Sequence, residues 1–520
     1  MTIAHNPVLR GSHPDPSIVR VGDEYFVATS TCEWYPGVRL HRSRDLANWE
    51  VVGHALDASN GFDLRGVPDS GGVWAPSLTH ENGMFWLAYS IVRTMDGDDK
   101  DLDNYLVTAE SIDGPWSDPV ALGSRGFDFS FFHDHGRHHI VGVQWDQRPE
   151  HPSFGGIVVE EYLADEQRTT GEATLIYSQD GLVEGPNLYR FGDEYCLLLA
   201  EGGTGWNHGI TSARAASLLG PYTRDPEPAM LTSRDAPGAA LQKAGHGELV
   251  QLPTGELALV HLAARATLHS GERYSILGRE TCLQRVSIDA DGWLRLAHGG
   301  RHAAVDVELP LAERTVAARE TRDDFDGDSL DLRRWSVLRA EPDADLASRP
   351  GWLRLRGGQS PASVFEQSLV AQRITEPHAV VTILIDAEPR SARQAAGLVA
   401  WYNRSAWAWL QVTCDSERGR HLRVLRRDGH VTHAASDLVP VADGEIRMRM
   451  ILDGPALSFA YAAAEGDWTS IGERLPAWQL SDDHGDQLRF TGLFGGVRAD
   501  DLDGVGWHVD VDYVEMTAAE

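Results

Sequence analysis

At 520 residues the chain is too long for one ordinary hydrophobic core, so it requires two domains or one large repeat domain. Its 46 Lys and Arg against 77 Asp and Glu leave a net charge of −31, which argues against nucleic acid or an anionic membrane as partner and suits a neutral substrate. No basic segment followed by an apolar core opens the sequence, no apolar run reaches the length of a membrane span, and Cys32, Cys196, Cys282 and Cys414 show no metal-ligand spacing. Reduced, mostly buried thiols in a cytoplasmic protein are the simplest expectation.

From Asn6 to about Val286 short alternating strands are punctuated by Gly, Pro and Asp, and no long amphipathic pattern interrupts them, which predicts an all-β fold. One design recurs five times: a polar or aromatic lead residue near a small residue or proline, then a turn, then an apolar run. The first copy is His13-Pro14-Asp15-Pro16-Ser17, followed by Gly22-Asp23 and Tyr25-Phe26-Val27-Ala28. The others begin at Gly72-Val73-Trp74-Ala75-Pro76, Phe127-Asp128-Phe129, Glu184-Gly185-Pro186 and His246-Gly247-Glu248. The lead residues Asp15, Trp74, Asp128, Glu184 and His246 fall at intervals of 59, 54, 56 and 62 residues. Such a period with a hairpin in each copy reads as one copy per blade of a five-bladed β-propeller. Equivalent positions then converge at the hub, where three of the five are carboxylates. Two carboxyl groups facing each other across a pocket are the equipment of glycoside hydrolysis.

Each of these residues also has a plainer reading. Asp15 between two prolines suits a turn cap, and Glu184 before Gly-Pro suits an exposed loop. Asp128 among Phe127, Phe129, Phe131 and Phe132 is either satisfied by backbone donors or kept desolvated for chemistry. His246 fits a hub metal ligand or a satisfied core histidine, and Arg279 a sugar clamp or a structural ion-pair partner. The cluster His133, His135, His138 and His139 falls at a turn and is expected to face solvent. Asp289-Ala290-Asp291-Gly292 and Asp324-Phe325-Asp326-Gly327-Asp328 lack the closing ligands of a calcium loop and read as turns.

The propeller is expected over residues 1–310, a connection over 311–322, and a second all-β domain over 323–520. Strand signals at 352–355, 379–385, 396–402 and 446–451 predict a two-sheet sandwich of the jelly-roll kind there.

Together with Ala200-Glu201-Gly202-Gly203-Thr204, Gly245-His246-Gly247, Leu277-Gly278-Arg279-Glu280-Thr281 and Phe490-Thr491-Gly492-Leu493-Phe494-Gly495, the repeat motifs resemble glycoside hydrolase family 43, in particular its two-domain β-xylosidases. The resemblance spans nearly the whole chain. It implies a five-bladed propeller followed by a concanavalin-like β-sandwich, and hydrolysis with inversion. It assigns Asp15 as general base, Glu184 as general acid and Asp128 as the carboxylate that tunes the acid. Trp74 and Arg279 match pocket-lining positions, and Phe494 matches a phenylalanine sent into the pocket mouth by the second domain. No cofactor is required, although His246 matches a histidine that some members use, through waters, near a bound calcium. Cys32 stands where close β-xylosidases carry Phe beside the pocket, Phe129 replaces a proline, and Asn187 replaces a histidine.

The expected activity is exo-acting release of xylose from β-1,4-xylooligosaccharides. An α-L-arabinofuranosidase, or an enzyme with both activities on arabinose-containing oligosaccharides, is the alternative. A catalytically idle carbohydrate-binding protein is the more remote one, and it would not need three carboxylates. A homo-oligomer is compatible with the sequence but not specified by it.

Overall fold

The inner hairpins of the first four blades close through two-residue turns, and that of the fifth through the five residues 252–256. The turn at Asn82-Gly83 has both residues left-handed, φ 53° and 80°, which matches the twist of the flanking strands. The computed structural model describes residues 2–95, 97, 99–317, 320–485 and 489–519. Ala318 and Arg319 of the 311–322 connection lie outside the described residues.

Five antiparallel sheets follow one another in sequence. The first is Ser17–Val21, Glu24–Thr29, Gly37–Ser43 and Glu50–Leu56. The second is Gly72–Glu81, Met84–Val92, Leu102–Ala109 and Val120–Gly123. The third contains Ser130–Asp134, Arg137–Trp145 and Phe154–Leu163, edged by Arg168–Thr169 and Thr174–Tyr177. The fourth contains Val183–Phe191, Glu194–Glu201 and Gly209–Ala215, edged by Thr223–Arg224 and Leu231–Thr232. The fifth is Gln242–Gln251, Leu257–Ala264, Glu280–Ile288 and Leu294–Leu296. These are the five blades of a β-propeller.

Among the described residues no blade borrows a strand from the other end of the chain. The ring is closed instead by Thr2–His5 pairing with Asp306–Leu309, and by the segment after it lying along the fifth blade. There the amides of Val8 and Leu9 both donate to the Thr281 carbonyl, and the Asn6 side chain both donates to and accepts from Leu283.

The hub residue lies in the first strand of its blade (Trp74, Glu184, His246) or two residues before it (Asp15, Asp128), and each has a left-handed residue at or just beyond it. Asp15, Asp128 and His246 themselves have φ of 53°, 55° and 37°, while in the second and fourth blades the next residues, Ala75 and Gly185, have φ of 33° and 54°. Strand register also slips at Trp74/Ser77, Glu184/Asn187 and Gly245/Gly247. Bulges of this kind turn a side chain out of the alternation of its strand, here toward the axis.

Residues 322–519 contribute eight strands to each of two stacked sheets of eight and nine strands, the concanavalin-like sandwich. The strand signals of the sequence appear as Leu353–Arg356, His378–Asp386, Gln394–Asn403 and Ile446–Asp453. The larger sheet takes its edge strand from the propeller: Trp34–Tyr35, between the second and third strands of the first blade, pairs with Ser336–Leu338. One apolar cluster runs through the junction, joining Tyr35, Phe62, Val67, Ile276 and Leu277 to Trp335, Val337, Ile374, Val381 and Leu398. Burying a large apolar side chain is worth about 1.5–3 kcal/mol, so the two domains share a core.

A propeller fragment ending in the 311–322 connection should therefore aggregate, or melt roughly 10 °C or more below the full chain. A soluble fragment with an unchanged melting temperature would show the shared core to be dispensable.

Candidate active site

The hub opens into a small cavity of about 60 Å³ lined by Asp15, Trp74, Phe127, Asp128, Glu184, Thr204, His246, Arg279 and Phe490. All five lead residues of the repeat reach it. A larger cavity, about 320 Å³, lies at the domain junction between Arg65 and the sandwich residues around Phe365, but it carries no comparable chemistry. Two of its carboxylates are engaged with arginines, Asp343 with Arg356 and Glu366 with Arg65.

Asp15 is 8% exposed and fully engaged. Its Oδ2 accepts the Ser30 hydroxyl at 2.7 Å, and its Oδ1 faces Arg279 Nη1 at 3.0 Å and His246 Nδ1 at 3.6 Å. The same Arg279 nitrogen donates to Thr204 Oγ1 at 3.0 Å. Ser30 Oγ also accepts the Ala75 amide, so the base of the second blade helps to hold Asp15. Burial pushes the Asp15 carboxyl up, but Arg279, then His246 and the Ser30 hydrogen bond, outweigh it and hold it below the usual carboxylate range. It is ionised at neutral pH. Arg279 thus serves as an ion-pair partner of Asp15, with its guanidinium at the pocket wall.

Glu184 has the opposite environment. Burial first, and the nearby Asp15 charge second, raise its carboxyl to about 7, against the pull of Arg279 and Lys100. Among the described residues its carboxyl accepts no hydrogen bond. Asp128 accepts the Gly185 amide at 2.9 Å, so it grips the backbone of the residue next to Glu184. Burial, then Glu184 and Asp15, push Asp128 well above the usual range. Both sequence readings of Asp128 hold: it takes a backbone donor and it is desolvated. Gly185 must be glycine, because φ is 54° and a Cβ would sit 2.7 Å from His246 Nε2.

His246 is lowered by burial, with Asp15 opposing, and is neutral at pH 7. Among the described residues no three His, Cys, Asp or Glu side chains converge as metal ligands. The hub space beneath His246, shared with Ser17, Ser130, Asn187 and Glu248, is about 20 Å³, room for about one water.

Two expected pocket residues lie elsewhere. Phe494 is 1% exposed and stacks on Trp34 with ring centres 3.8 Å apart, behind the pocket wall. It opens the strand Phe494–Asp501, whose pairing with Arg373 and Trp401 directs the ring into the junction. The aromatic that the sandwich sends to the pocket is Phe490, four residues earlier in the strap between Thr469–Pro476 and that strand. Its ring meets Trp74 edge-on at 5.5 Å, and the Arg279 guanidinium lies 5.0 Å from its centre. The strap is clipped to the fifth blade by the Ser275 amide on Asp483 and by a Lys243–Asp483 ion pair of 2.6 Å.

Cys32 does not line the pocket. Its backbone bridges Val73, and its carbonyl would lie 2.2 Å from a Cβ on Gly72, so the residue is pressed beneath the second blade. Burial pushes its thiol well up. Its thiol still lies near enough to Arg279 and Asp15 for their charges to act on it.

The histidine cluster is also corrected. His138 and His139 are buried, and His133 contacts His138 at 2.8 Å beside the Trp86 ring. Only His135 of the four is at the turn and exposed. Sequence reasoning missed Ser30, Thr204, Phe127, His208 and Phe490 as site residues. Thr204 and Phe127 sit inside motifs already singled out, whereas Ser30 and His208 reach the hub only through cross-strand register. His208, wholly buried, packs on Gly245 beside His246 and is lowered to about 3 by burial.

Residues 4–294 match the family Glycosyl hydrolases family 43, and residues 322–517 match the Beta xylosidase C-terminal Concanavalin A-like domain. The chain belongs to glycoside hydrolase family 43. The enzyme is 41% identical over 99% of its length to Xylosidase/arabinosidase 43B of Humicola insolens, covering 97% of that protein. It is 39% identical to the Beta-xylosidase of Bacillus subtilis (strain 168), covering 98% of each. The crystal structure of xylan beta-1,4-xylosidase from Bacillus halodurans C-125 superposes with a TM-score of 0.96 at 41% identity, over 99% of this glycosidase and all of that chain.

The placement of the two phenylalanines separates their expected effects. Phe490→Ala should raise KM about tenfold, the worth of one lost pocket contact, with a smaller loss of melting temperature than Phe494→Ala. Phe494→Ala should cost about 3–5 kcal/mol of stability and leave KM near that of the unaltered enzyme. Steady-state kinetics and thermal melts of both variants check this, and the reverse pattern would restore Phe494 to the pocket.

Proposed function

We propose that this family 43 glycosidase is an exo-acting, inverting β-xylosidase that releases xylose from the non-reducing ends of β-1,4-xylooligosaccharides. The observation that carries the reading is the pair of buried carboxyls on non-neighbouring blades, with Asp15 held ionised and Glu184 raised to about 7. One is suited to be a base and the other an acid at the same pH.

In this mechanism a water beside Asp15 attacks the anomeric carbon from the face opposite the leaving group, and Asp15 takes its proton. The glycosidic bond breaks as Glu184 gives its proton to the departing oxygen. Asp15 ends protonated and Glu184 ionised, and exchange with solvent resets both. Asp128, through the Gly185 amide, orients the acid, and the Asp15 charge adds to burial in disfavouring its ionisation. Arg279, bonded to Asp15 and Thr204 and facing Phe490, is placed to bind sugar hydroxyls while keeping the base ionised. The cap of Phe490 over a closed hub favours removal of one terminal sugar at a time.

Activity on α-L-arabinofuranosides is the second reading, supported by the dual name of the Humicola insolens relative. The apolar wall of Trp74, Phe127 and Phe490 is compatible with either pentose. Side-by-side kcat/KM values for the nitrophenyl β-xyloside and α-arabinofuranoside decide between them.

Asp15→Asn and Glu184→Gln should each lower turnover of xylobiose by about 10²–10⁴-fold or more, with the fold intact by circular dichroism. Glu184→Gln should lose less on aryl glycosides, whose leaving groups hardly need the proton. Either variant cleaving xylobiose at the normal rate would remove that residue from the mechanism.

The pH profile follows from the two environments. Activity should fall on the alkaline side as Glu184 loses its proton near pH 7, and on the acid side only as pH drops through the lowered Asp15 value. Proton NMR of the first product from a β-linked substrate should show α-xylose. Initial β-xylose would replace inversion with retention.

A further inference from the structure

Ser70 ties together three groups that the mechanism does not otherwise connect. Its carbonyl accepts the Trp74 indole N–H at 2.8 Å, and its hydroxyl accepts the Phe490 amide at 3.0 Å. Its own amide donates to Glu33 Oε2 at 3.0 Å. Trp74 belongs to the propeller and Phe490 to the sandwich, and their rings form the apolar wall of the pocket. Ser70 is 2% exposed and left-handed, φ 62°, so a carboxyl acceptor on its amide fixes a backbone that would otherwise relax.

Glu33 is wholly buried, and among the described residues its Oε1 has no partner. Burial first, then Asp69, raise it to about 8 against the pull of Arg339, so the acid is neutral at pH 7. A buried acid with half its hydrogen-bonding capacity unused is a costly placement, and what it does here is hold Ser70. The neighbouring Asp69 is gripped from the sandwich by Arg339 at 2.8 Å and Arg404 at 3.0 Å. Arg339 also donates to the Val67 carbonyl and takes part in backbone bonds to Glu33 and Leu64. The docking of the two domains is thus delivered to the pocket wall through Asp69 and Ser70.

We propose that Ser70, held by Glu33, is a positioning residue that sets the spacing of Trp74 and Phe490 and thereby the affinity for the terminal sugar. This rests on the reading of the hub as the glycosyl-binding pocket. Ser70→Ala keeps the carbonyl and the backbone preference but loses the clip on Phe490. It should raise KM for the preferred nitrophenyl glycoside about 3–10-fold, the worth of one hydrogen bond, with kcat within about twofold. In a Phe490→Ala background the same substitution should add less than about twofold, because the group it acts through is gone. Glu33→Gln keeps an acceptor for the Ser70 amide and should leave KM within about twofold. Ser70→Gly, which lacks the hydroxyl and relieves the left-handed backbone, should match Ser70→Ala and covers the case in which alanine does not fold.

An unchanged KM in Ser70→Ala or Ser70→Gly, or additive effects with Phe490→Ala, would overturn the proposal. Xylose affinity, titrated by tryptophan fluorescence, keeps this separate from the function. An enzyme that binds xylose but turns over neither glycoside refutes the catalytic reading while still testing Ser70, whose alanine variant should then bind xylose about 3–10-fold more weakly. Absence of xylose binding would refute both.

Discussion

The site depends on one ion pair in a place nearly without water. Asp15 and Arg279 meet at 3.0 Å, with side chains only 9% and 6% exposed. In such surroundings a carboxylate without a cation would take up a proton instead of staying charged. Because Arg279 satisfies Asp15, the charge that remains on Asp15 bears on Glu184 and Asp128, which are both pushed up. Placing a single guanidinium against one of three carboxyls therefore divides them into a base and two proton holders. The same residue types with the arginine beside Glu184 would give the reverse assignment.

The propeller supplies the geometry for this division by departing from strand regularity at the same place in each blade. A strand alternates its side chains up and down, so none naturally points along the hub axis. The left-handed residues and slipped registers at the five entrances redirect the lead side chains inward. These strained positions persist because neighbours over-determine them: Ser30 and Arg279 on Asp15, Gly185 on Asp128, and the pressed contact of Gly185 with His246.

Much of this was legible in the sequence, and the reason is repetition. Asp15, Trp74, Asp128, Glu184 and His246 could be picked out because each precedes its own hairpin at a similar spacing, and a closed ring then brings them together. The strands of the sandwich were legible from their own alternation. What failed was register outside the repeat. Phe490 and Phe494 are the same residue type four positions apart, and only the strand that begins at Phe494 shows which ring is drawn into the junction. Cys32 was misplaced because nothing local announces that Trp34–Tyr35 leaves the first blade to pair with the sandwich. His138 and His139 looked exposed beside a turn, yet the strand they enter packs against Trp86 and the neighbouring strand. Ser30, Thr204 and Ser70 are small polar residues whose importance comes from partners far away in sequence.

The way the ring closes has a consequence for how the enzyme comes into being. Each blade is contiguous in the chain, so four of them can form in turn as synthesis proceeds. The seam between first and last blades is different, since it is sealed by the N-terminal segment lying on the strand Glu280–Ile288. The Asp15–Arg279 pair spans that seam across 264 residues. At a translation rate of about 5–20 residues per second, Asp15 waits roughly ten to fifty seconds for its counterion to leave the ribosome. During that interval the nascent chain carries a carboxyl with no reason to remain buried. Ring closure and neutralisation of Asp15 both wait for Arg279, and Phe490 arrives only after a further two hundred or so residues.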